Sequence, residues 1–169
     1  MVVAEFLKVS LKQFTEDAQK LLNIEDEDAI RKAYDAIALP KRATVSSAGY
    51  DFVTPFSIDL RPNETIKIPT GIRCKMLDGY VLNIYPRSSF GMKYQMTLLN
   101  TVGIIDADYY GAKNEGHIIV AIENRSDKVM HIDALERFVQ GVFLAFYTAK
   151  EEEVVEIRQG GFGSSDKRP

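Results

Sequence analysis

The sequence predicts an all-β domain with a helical hairpin near its N-terminus. From Arg42 onward, short apolar segments are separated by turn-forming residues, as at 61–63, 77–79 and 124–127. Many short strands at this spacing are typical of a sandwich or a barrel, not of βαβ units. We therefore predict strands at 56–60, 64–69, 71–76, 80–85, 117–123, 128–132 and 138–147.

Residues 1–40 have a helical pattern instead. Ser10 and Gln13 fit a capping box, and Asn23 fits a helix end. The acidic run 25–28 suits a second helix N-terminus, where negative charge meets the positive end of the helix dipole, and Pro40 ends that helix. Apolar residues recur at helical spacing in both segments: Leu11, Phe14, Ala18, Leu21, Leu22, Ala29, Ile30, Ala33, Tyr34 and Ile37. We predict a helical hairpin over about residues 10–38, serving as a packing appendage or an oligomer contact.

Composition narrows the class of protein. A length of 169 residues with 46% hydrophobic content fits one domain with its own core. The net charge of −3 argues against a broad nucleic-acid-binding face. The N-terminus lacks a signal-peptide pattern and no apolar run reaches membrane-spanning length, so we expect a cytoplasmic protein without membrane contact. The single cysteine, Cys74, excludes a disulfide framework, and His117 and His131 are too few for a zinc site without help.

Five short segments carry the functional information. They are 48–51 (AGYD), 86–89 (PRSS) followed by Gly91 and Lys93, 100–109 (NTVGIIDADY), 137–140 (RFVQ) and 158–165 (RQGGFGSS). Each segment alone is weak evidence. Together, in this order and at these spacings, they resemble the five motifs of the trimeric dUTPase family, over about residues 40–165.

The resemblance implies a fold and an activity. The fold is a dUTPase-like β-barrel or jelly roll (β-clip) with an N-terminal helical hairpin insertion. A strand plus the hairpin would occupy 1–40, the β core 41–157, and a flexible C-terminal arm 158–169. The activity is hydrolysis of dUTP to dUMP and pyrophosphate, which limits uracil in DNA and supplies dUMP. The family also implies a homotrimer with shared active sites and a Mg²⁺ cofactor.

By the same resemblance, Asp106 is the catalytic residue. Phosphoanhydride hydrolysis needs a water aimed in line at phosphorus, and a carboxylate can orient that water and accept its proton. The family places this water at the α-phosphate. The alternative for Asp106 is a turn-forming Asx residue.

The triphosphate would be held by Arg87, Ser88, Ser89 and Gln140, with Arg137 supporting the site from behind. Mg²⁺ would be held mainly by substrate phosphates and waters, not by a protein cage. Asp51 would either contact waters of the metal or buttress the site.

Segment 100–109 would form a hairpin that reads uracil and deoxyribose. Its binding residues would be Asn100, Gly103, Ile105 and Tyr109. Backbone groups that pair with uracil leave cytosine with buried unpaired groups, which penalises cytosine. Tyr109 would pack against the sugar, and its alternative is a core aromatic.

The C-terminal arm would close over the bound nucleotide. Phe162 would stack on uracil, Arg158 would reach the terminal phosphates, and Gly163, Ser164 and Ser165 would add close backbone or hydroxyl contacts. In the family the arm serves another subunit's site, which is why we predict a trimer.

This chain departs from the family pattern in four places. Ser89 stands where the family usually has glycine, and Tyr110 where arginine is common. Only Gln159 separates Arg158 from Gly160, one residue fewer than usual. The loop 111–116 looks lengthened.

Two other functions stay open at this point. A dCTP deaminase shares the fold, but its catalytic glutamate would fall on Ala121, which cannot transfer a proton. A non-catalytic module would sense nucleotides or bind an unidentified protein partner through the helical hairpin.

Overall fold

The computed structural model describes residues 1–150 of the chain. In this part the helices are α1 (Leu11–Leu22), α2 (Glu27–Ala36) and α3 (Ser88–Lys93), with a 3₁₀ helix at Ala107–Gly111. The strands are β1 (Ala4–Lys8), β2 (Lys41–Arg42), β3 (Tyr50–Val53), β4 (Ile58–Leu60), β5 (Thr65–Pro69), β6 (Ile72–Met76), β7 (Tyr80–Pro86), β8 (Met96–Leu98), β9 (Gly103–Ile105), β10 (Ile119–Asn124), β11 (Met130–Ile132) and β12 (Arg137–Ala145).

The strands form small antiparallel sheets. The largest has the order β2-β3-β12-β7-β9, and a second has the order β5-β10-β8. Two strand pairs, β1-β6 and β4-β11, complete the arrangement within residues 1–150. This mostly β architecture confirms the predicted fold class.

The predicted strands agree closely with the structure. All seven predicted segments contain or overlap an observed strand, with ends within two residues. The sequence analysis missed β2, β8 and β9, each two or three residues long, and treated β3 only as a functional motif. It also missed α3, since 86–89 was interpreted as a phosphate-binding turn. Short segments offer too few residues for a periodic signal.

The core is apolar and reaches from the β-sheets into the hairpin. Its largest fully buried side chains include Phe52, Phe90 and Phe138 from the β region and Phe14 from α1. Cys74 is also buried, and burial raises the pKa of its thiol to about 12. A thiol with so high a pKa is a packing group, not a nucleophile.

The helical hairpin is confirmed as an insertion between β1 and β2. Asn23 ends α1 in the left-handed conformation (φ 54°), and the Asp26 side chain caps α2 by accepting from the Asp28 and Ala29 N–H groups. Phe14 of α1 stacks on Phe56, with ring centroids 5.9 Å apart. The hairpin is therefore packed into the protein and not attached only at its ends.

The capping box at the start of α1 is only half confirmed. Ser10 Oγ accepts from the Gln13 N–H as predicted. The Gln13 side chain, however, donates to Asp17 Oδ2, and the Ser10 N–H donates to Glu115 Oε2. A distant residue thus replaces the local partner of the capping box.

A buried Asp17–His117 hydrogen bond joins α1 to the β region. His117 is 0% exposed, and its Nε2 accepts from the Gly71 N–H at 2.7 Å, so Nε2 carries no proton. Nδ1 then bears the proton and donates it to Asp17 Oδ2 at 2.6 Å. Burial acts to raise the pKa of Asp17, but the hydrogen bonds from His117 and Gln13 outweigh it and hold this pKa below its ordinary value.

None of the helices within residues 1–150 is long and apolar enough to cross a membrane.

Asp17 should make stability depend on pH in the acid range. Because its pKa is lowered on folding, the ionised carboxylate contributes stability that is fully present above the ordinary value of 3.8 and is lost as pH falls through the lowered value. Asp17→Asn cannot titrate. We expect the difference in unfolding free energy between wild type and Asp17→Asn to be constant near neutral pH and to shrink below pH 3.8. Urea unfolding at several pH values measures it, and a difference that grows on acidification would contradict the assignment.

Candidate active site

Three neighbouring strands place Asp51, Gln140 and Tyr85 in one row. Gln140 on β12 pairs with Asp51 on β3 and with Tyr85 on β7. Directly opposite residues of an antiparallel sheet project to the same face. The row therefore gathers two of the predicted site residues, and Arg87 follows two residues after Tyr85.

Asp51 organises the two arginines of the site. Its Oδ1 forms an ion pair with Arg87 Nε at 2.9 Å, and its Oδ2 accepts from Arg137 Nη1 at 3.2 Å. Arg87 Nη1 also donates to the Arg137 carbonyl at 3.3 Å. One carboxylate between two guanidinium groups leaves net positive charge, which suits a phosphate. Both oxygens of Asp51 hold arginines, which favours the buttressing role.

The segment after β7 turns into the short helix α3. Arg87 precedes this helix with an extended backbone (φ −69°, ψ 145°), and its carbonyl accepts from the N–H groups of Phe90 and Gly91. Ser88 and Ser89 form the exposed first turn, where backbone N–H groups have no acceptor inside the helix. Ser89 does not have a positive φ, so a serine in place of the family's usual glycine causes no backbone strain.

Gln140 depends on the absence of a side chain at Gly49. The Gln140 amide donates to the Pro86 carbonyl at 3.4 Å, and its Oε1 lies where a Cβ on Gly49 would be. Gly49 therefore leaves room for the Gln140 side chain in the row opposite Asp51. The sequence analysis quoted this glycine in its first motif and gave it no role.

Segment 100–109 is not a β-hairpin, which corrects our expectation. The strand β9 pairs with β7, while β8 pairs with β10. Asn100 is exposed and its carbonyl accepts from the Val102 N–H at 2.6 Å. Gly103 lies opposite Ile84, where an added Cβ would be 3.0 Å from Ile84 Cβ. The segment is a turn, a strand and a 3₁₀ helix, with Ile105 half-buried at the strand end.

Asp106 lies between β9 and the 3₁₀ helix. Its backbone is extended (φ −79°, ψ 158°), and its carbonyl accepts from the Tyr109 N–H at 3.2 Å. Its side chain makes no capping hydrogen bond to that helix. The catalytic role of Asp106 stays a prediction.

Tyr109 lies in the core of the chain. The residue is 5% exposed, its hydroxyl donates to the His117 carbonyl at 2.8 Å, and Asn114 Nδ2 donates to that hydroxyl at 2.8 Å. Burial favours the core-aromatic alternative over a ring lying flat on a sugar. At this burial little of the residue is open to a nucleotide within one chain, and a sugar contact stays a prediction.

Asp106 and Arg87 lie at opposite ends of the β7-β9 pair. Ile105 pairs with Leu82, and the antiparallel chain carries Asp106 further away from Arg87. Arg87 lies beyond Leu82 in the other direction, about 16 Å along an extended strand. Within one chain, therefore, the structure does not bring the predicted base and the arginine pair together.

The predicted arm residues Arg158, Phe162, Gly163, Ser164 and Ser165 lie outside the described residues.

Comparison with known proteins settles the family. The dUTPase family model matches residues 35–166. The deoxyuridine 5'-triphosphate nucleotidohydrolase of Lactococcus lactis is 44% identical over 132 residues, which is 76% of this chain and 88% of that protein. The chain belongs to the dUTPase family.

Solved structures agree with this membership. The dUTPase from Streptococcus mutans aligns with a TM-score of 0.65 and 33% identity, covering 86% of this chain and 98% of that one. A point-mutant dUTPase from phage phi11 of S. aureus, described with a structural Mg(II) ion, aligns with a TM-score of 0.58 and 23% identity over 71% of this chain and 91% of that one. At that identity the second likeness supports the dUTPase fold alone.

Gly49→Ala should weaken phosphate binding without unfolding the protein. The added Cβ collides with the end of the Gln140 side chain, which can swing away but then leaves the row. Losing one hydrogen bond to a charged group costs about 1.5–3 kcal/mol, so we expect at least about tenfold weaker binding of pyrophosphate by calorimetry. Gly91→Ala is the matched control, because a Cβ there meets nothing within 4 Å. Equal affinities for the two variants would contradict the role of Gln140.

Proposed function

We propose that this chain hydrolyses dUTP to dUMP and pyrophosphate. The observation that carries the proposal is the Asp51-bridged arginine pair beside Gln140 and the first turn of α3, in a chain of the dUTPase family. Phosphoryl transfer spreads negative charge over the phosphate oxygens. Preorganised cations and N–H groups stabilise that charge without reorganising during the reaction.

The roles of the phosphate-binding residues follow from their positions. Arg87 uses its Nε on Asp51 and its Nη1 on the Arg137 carbonyl, so its Nη2 is the group that would meet a phosphate. Gln140, opposite Asp51 on β12, would offer a neutral amide, and Ser88 and Ser89 would offer hydroxyl and N–H donors. Arg137 is 55% exposed and acts with Asp51 to fix Arg87.

Asp106 orients the attacking water and accepts its proton. A positioned carboxylate contributes about 10²–10⁴ in rate by such proton transfer. The short strand β9 and the 3₁₀ helix fix the backbone on both sides of Asp106. A base held on regular structure keeps its water in line with the phosphorus.

A Mg²⁺ ion fits this site as a companion of the substrate. Residues 1–150 contain no cluster of three or more His, Cys, Asp or Glu side chains able to hold a metal, and Asp51 is engaged with arginines. Mg²⁺ commonly binds through substrate phosphates and retained waters. When bound, the ion would neutralise phosphate charge. Asp51 would act indirectly, by holding Arg87 in place.

The separation of Asp106 from Arg87 supports a homotrimer with shared sites. A phosphate held by Arg87 of one chain can meet Asp106 only if a second chain supplies it. Large apolar side chains are exposed on the same sheet and just after it, as interfaces require: Ile104 (61%), Leu144 (42%), Phe146 (47%) and Tyr147 (94%). The C-terminal arm would then complete the site from another subunit.

Base selection would rest on the backbone near Asn100, Gly103 and Ile105. Gly103 and Ile105 are held by β7, so the backbone there is fixed before the base arrives. Fixed groups that pair with uracil reject cytosine, because the mismatched donors stay buried and unpaired.

Deaminase chemistry has no support at Ala121. The residue is 7% exposed on β10 opposite Lys67, and its carbonyl accepts from the Leu99 N–H. No carboxylate stands there to transfer a proton. Nucleotide sensing, a protein partner at the hairpin and a cytoplasmic location stay predictions.

The test is pyrophosphate release from dUTP with Mg²⁺, beside dCTP with ammonia detection. We expect pyrophosphate from dUTP and no ammonia from dCTP. Asp106→Asn should keep dUTP affinity and lose at least about 10² in kcat, because the side-chain shape remains while the base is lost. Asp78→Asn, in the exposed β6–β7 turn, is the control and should match wild type. Ammonia from dCTP, or full turnover by Asp106→Asn, would overturn the proposal.

Mixing two inactive variants tests the shared site. Arg87→Ala and Asp106→Asn homotrimers should each be inactive. After joint unfolding and refolding, a mixed trimer can combine Arg87 of one chain with Asp106 of another. Random equal mixing would recover up to about a quarter of wild-type activity in a closed ring with one such pair per site. No recovery from mixed trimers, verified by mass spectrometry, would place both residues in one chain.

A further inference from the structure

The segment after Asp106 is held by contacts from the N-terminal part of the chain. The anchored loop, residues 107–117, contains the 3₁₀ helix, a turn and His117. Glu115 (φ 58°) and Gly116 (φ 69°) fold the turn back on Tyr109, since a Cβ on Gly116 would be 2.6 Å from the Tyr109 carbonyl oxygen. The loop is therefore tightly closed on itself, and residues of the hairpin contact it from outside.

The first anchor joins Ser10 to Glu115. The Ser10 N–H donates to Oε2 and the Ser10 hydroxyl donates to Oε1, both at 2.7 Å. Burial acts to raise the pKa of Glu115, but the two hydrogen bonds from Ser10 and the charge of Arg73 bring it below its ordinary value. Ser10 also caps α1, so one residue ties the start of the helix to the turn of the loop.

The second anchor runs from Asp17 through His117 to Tyr109. Asp17 accepts from His117 Nδ1, and the His117 carbonyl accepts from the Tyr109 hydroxyl at 2.8 Å. His117 is completely buried, so water cannot easily replace a partner that its ring loses. A shift of α1 would reach Tyr109, three residues after Asp106.

Arg73 on β6 holds the middle of the same loop. Its guanidinium lies 3.7 Å from the centroid of the Tyr110 ring, and its Nη2 donates to the Tyr110 carbonyl at 2.7 Å. The anchored loop is thus fixed at Tyr109, Tyr110, Glu115 and His117.

We propose that Ser10 and Asp17 are positioning residues for hydrolysis, acting through the anchored loop on Asp106. Both belong to the N-terminal segment that precedes residue 35, where the family match begins. The hairpin insertion thereby takes part in turnover in this chain. The inference rests on the proposed function, because it concerns the placement of the same catalytic carboxylate.

Two helix caps provide a matched experiment. Ser10 caps α1 and also bonds Glu115 of the anchored loop. Asp26 caps α2, and its side chain accepts hydrogen bonds from the N–H groups of Asp28 and Ala29 within that helix. Ser10→Ala and Asp26→Ala should lower the melting temperature by similar amounts, because each removes one cap. Only Ser10→Ala should lower kcat for dUTP, by about tenfold, because even a small displacement of a catalytic group lowers the rate strongly.

Asp17 offers a rescue by a conservative variant. Asp17→Ala removes the acceptor of His117 Nδ1–H and should lower kcat as Ser10→Ala does. Asp17→Asn keeps an oxygen at that place and should retain most of the turnover. Glu115→Gln keeps one acceptor for Ser10 and should fall between Ser10→Ala and wild type.

The measurements are kcat and KM for dUTP, melting temperature, and amide hydrogen exchange of the peptide that contains 107–117. Faster exchange in that peptide with lower kcat, in Ser10→Ala and Asp17→Ala but not in Asp26→Ala, supports the inference. Normal kcat in both loop variants, or an equal loss in Asp26→Ala, overturns it. A folded wild type that releases no pyrophosphate instead overturns the proposed function and, with it, any role in turnover.

Discussion

Strand β7 sets the geometry of the whole site, because it pairs with β12 on one side and β9 on the other. Its pairing with β12 aligns Tyr85 with Gln140 and, one strand further, with Asp51. Its pairing with β9 sends Asp106 in the opposite direction. Because Arg87 and Asp106 follow opposite ends of this strand pair, they stay apart within one chain. In the proposed mechanism, a second chain must therefore supply Asp106 to a phosphate held by Arg87.

Charge at the proposed phosphate-binding end is a compromise between attraction of the phosphate and a fixed orientation of the arginines. Two arginines without a carboxylate would attract phosphate more strongly but would repel each other and lose a fixed orientation. The Asp51 carboxylate offsets one positive charge. It holds Arg87 Nε 2.9 Å from its Oδ1 and Arg137 Nη1 3.2 Å from its Oδ2. Preorganised donors act in the transition state without a reorganisation cost, so orientation outweighs the lost charge. The 12% exposure of the Asp51 side chain strengthens both ion pairs.

The sequence predicted the features that depend on local pattern. Seven strands and both helices of the hairpin followed from periodicity, and the motif order indicated the family that the comparisons establish. It failed where a residue's partner is distant along the chain. Ser10 was assigned the local partner Gln13, but its N–H goes to Glu115. The motif also gave no sign that the Tyr109 hydroxyl bonds the His117 carbonyl in the core, while the predicted sugar contact stays a prediction. Such choices are decided by tertiary packing, on which periodicity carries no information.

The insertion and the loop it contacts are best understood as one structural unit. A surface appendage would need only apolar contacts, and α1 has these through Phe14. It has in addition a buried polar pair, Asp17 with His117, which is costly to bury unless its geometry is satisfied. A satisfied polar pair stabilises one orientation of the helix far more selectively than apolar packing does, because hydrogen bonds depend steeply on angle and distance. The fixed orientation is passed to His117 and, through its carbonyl, to Tyr109, which is why the proposed effect of Asp17 on turnover runs through this loop.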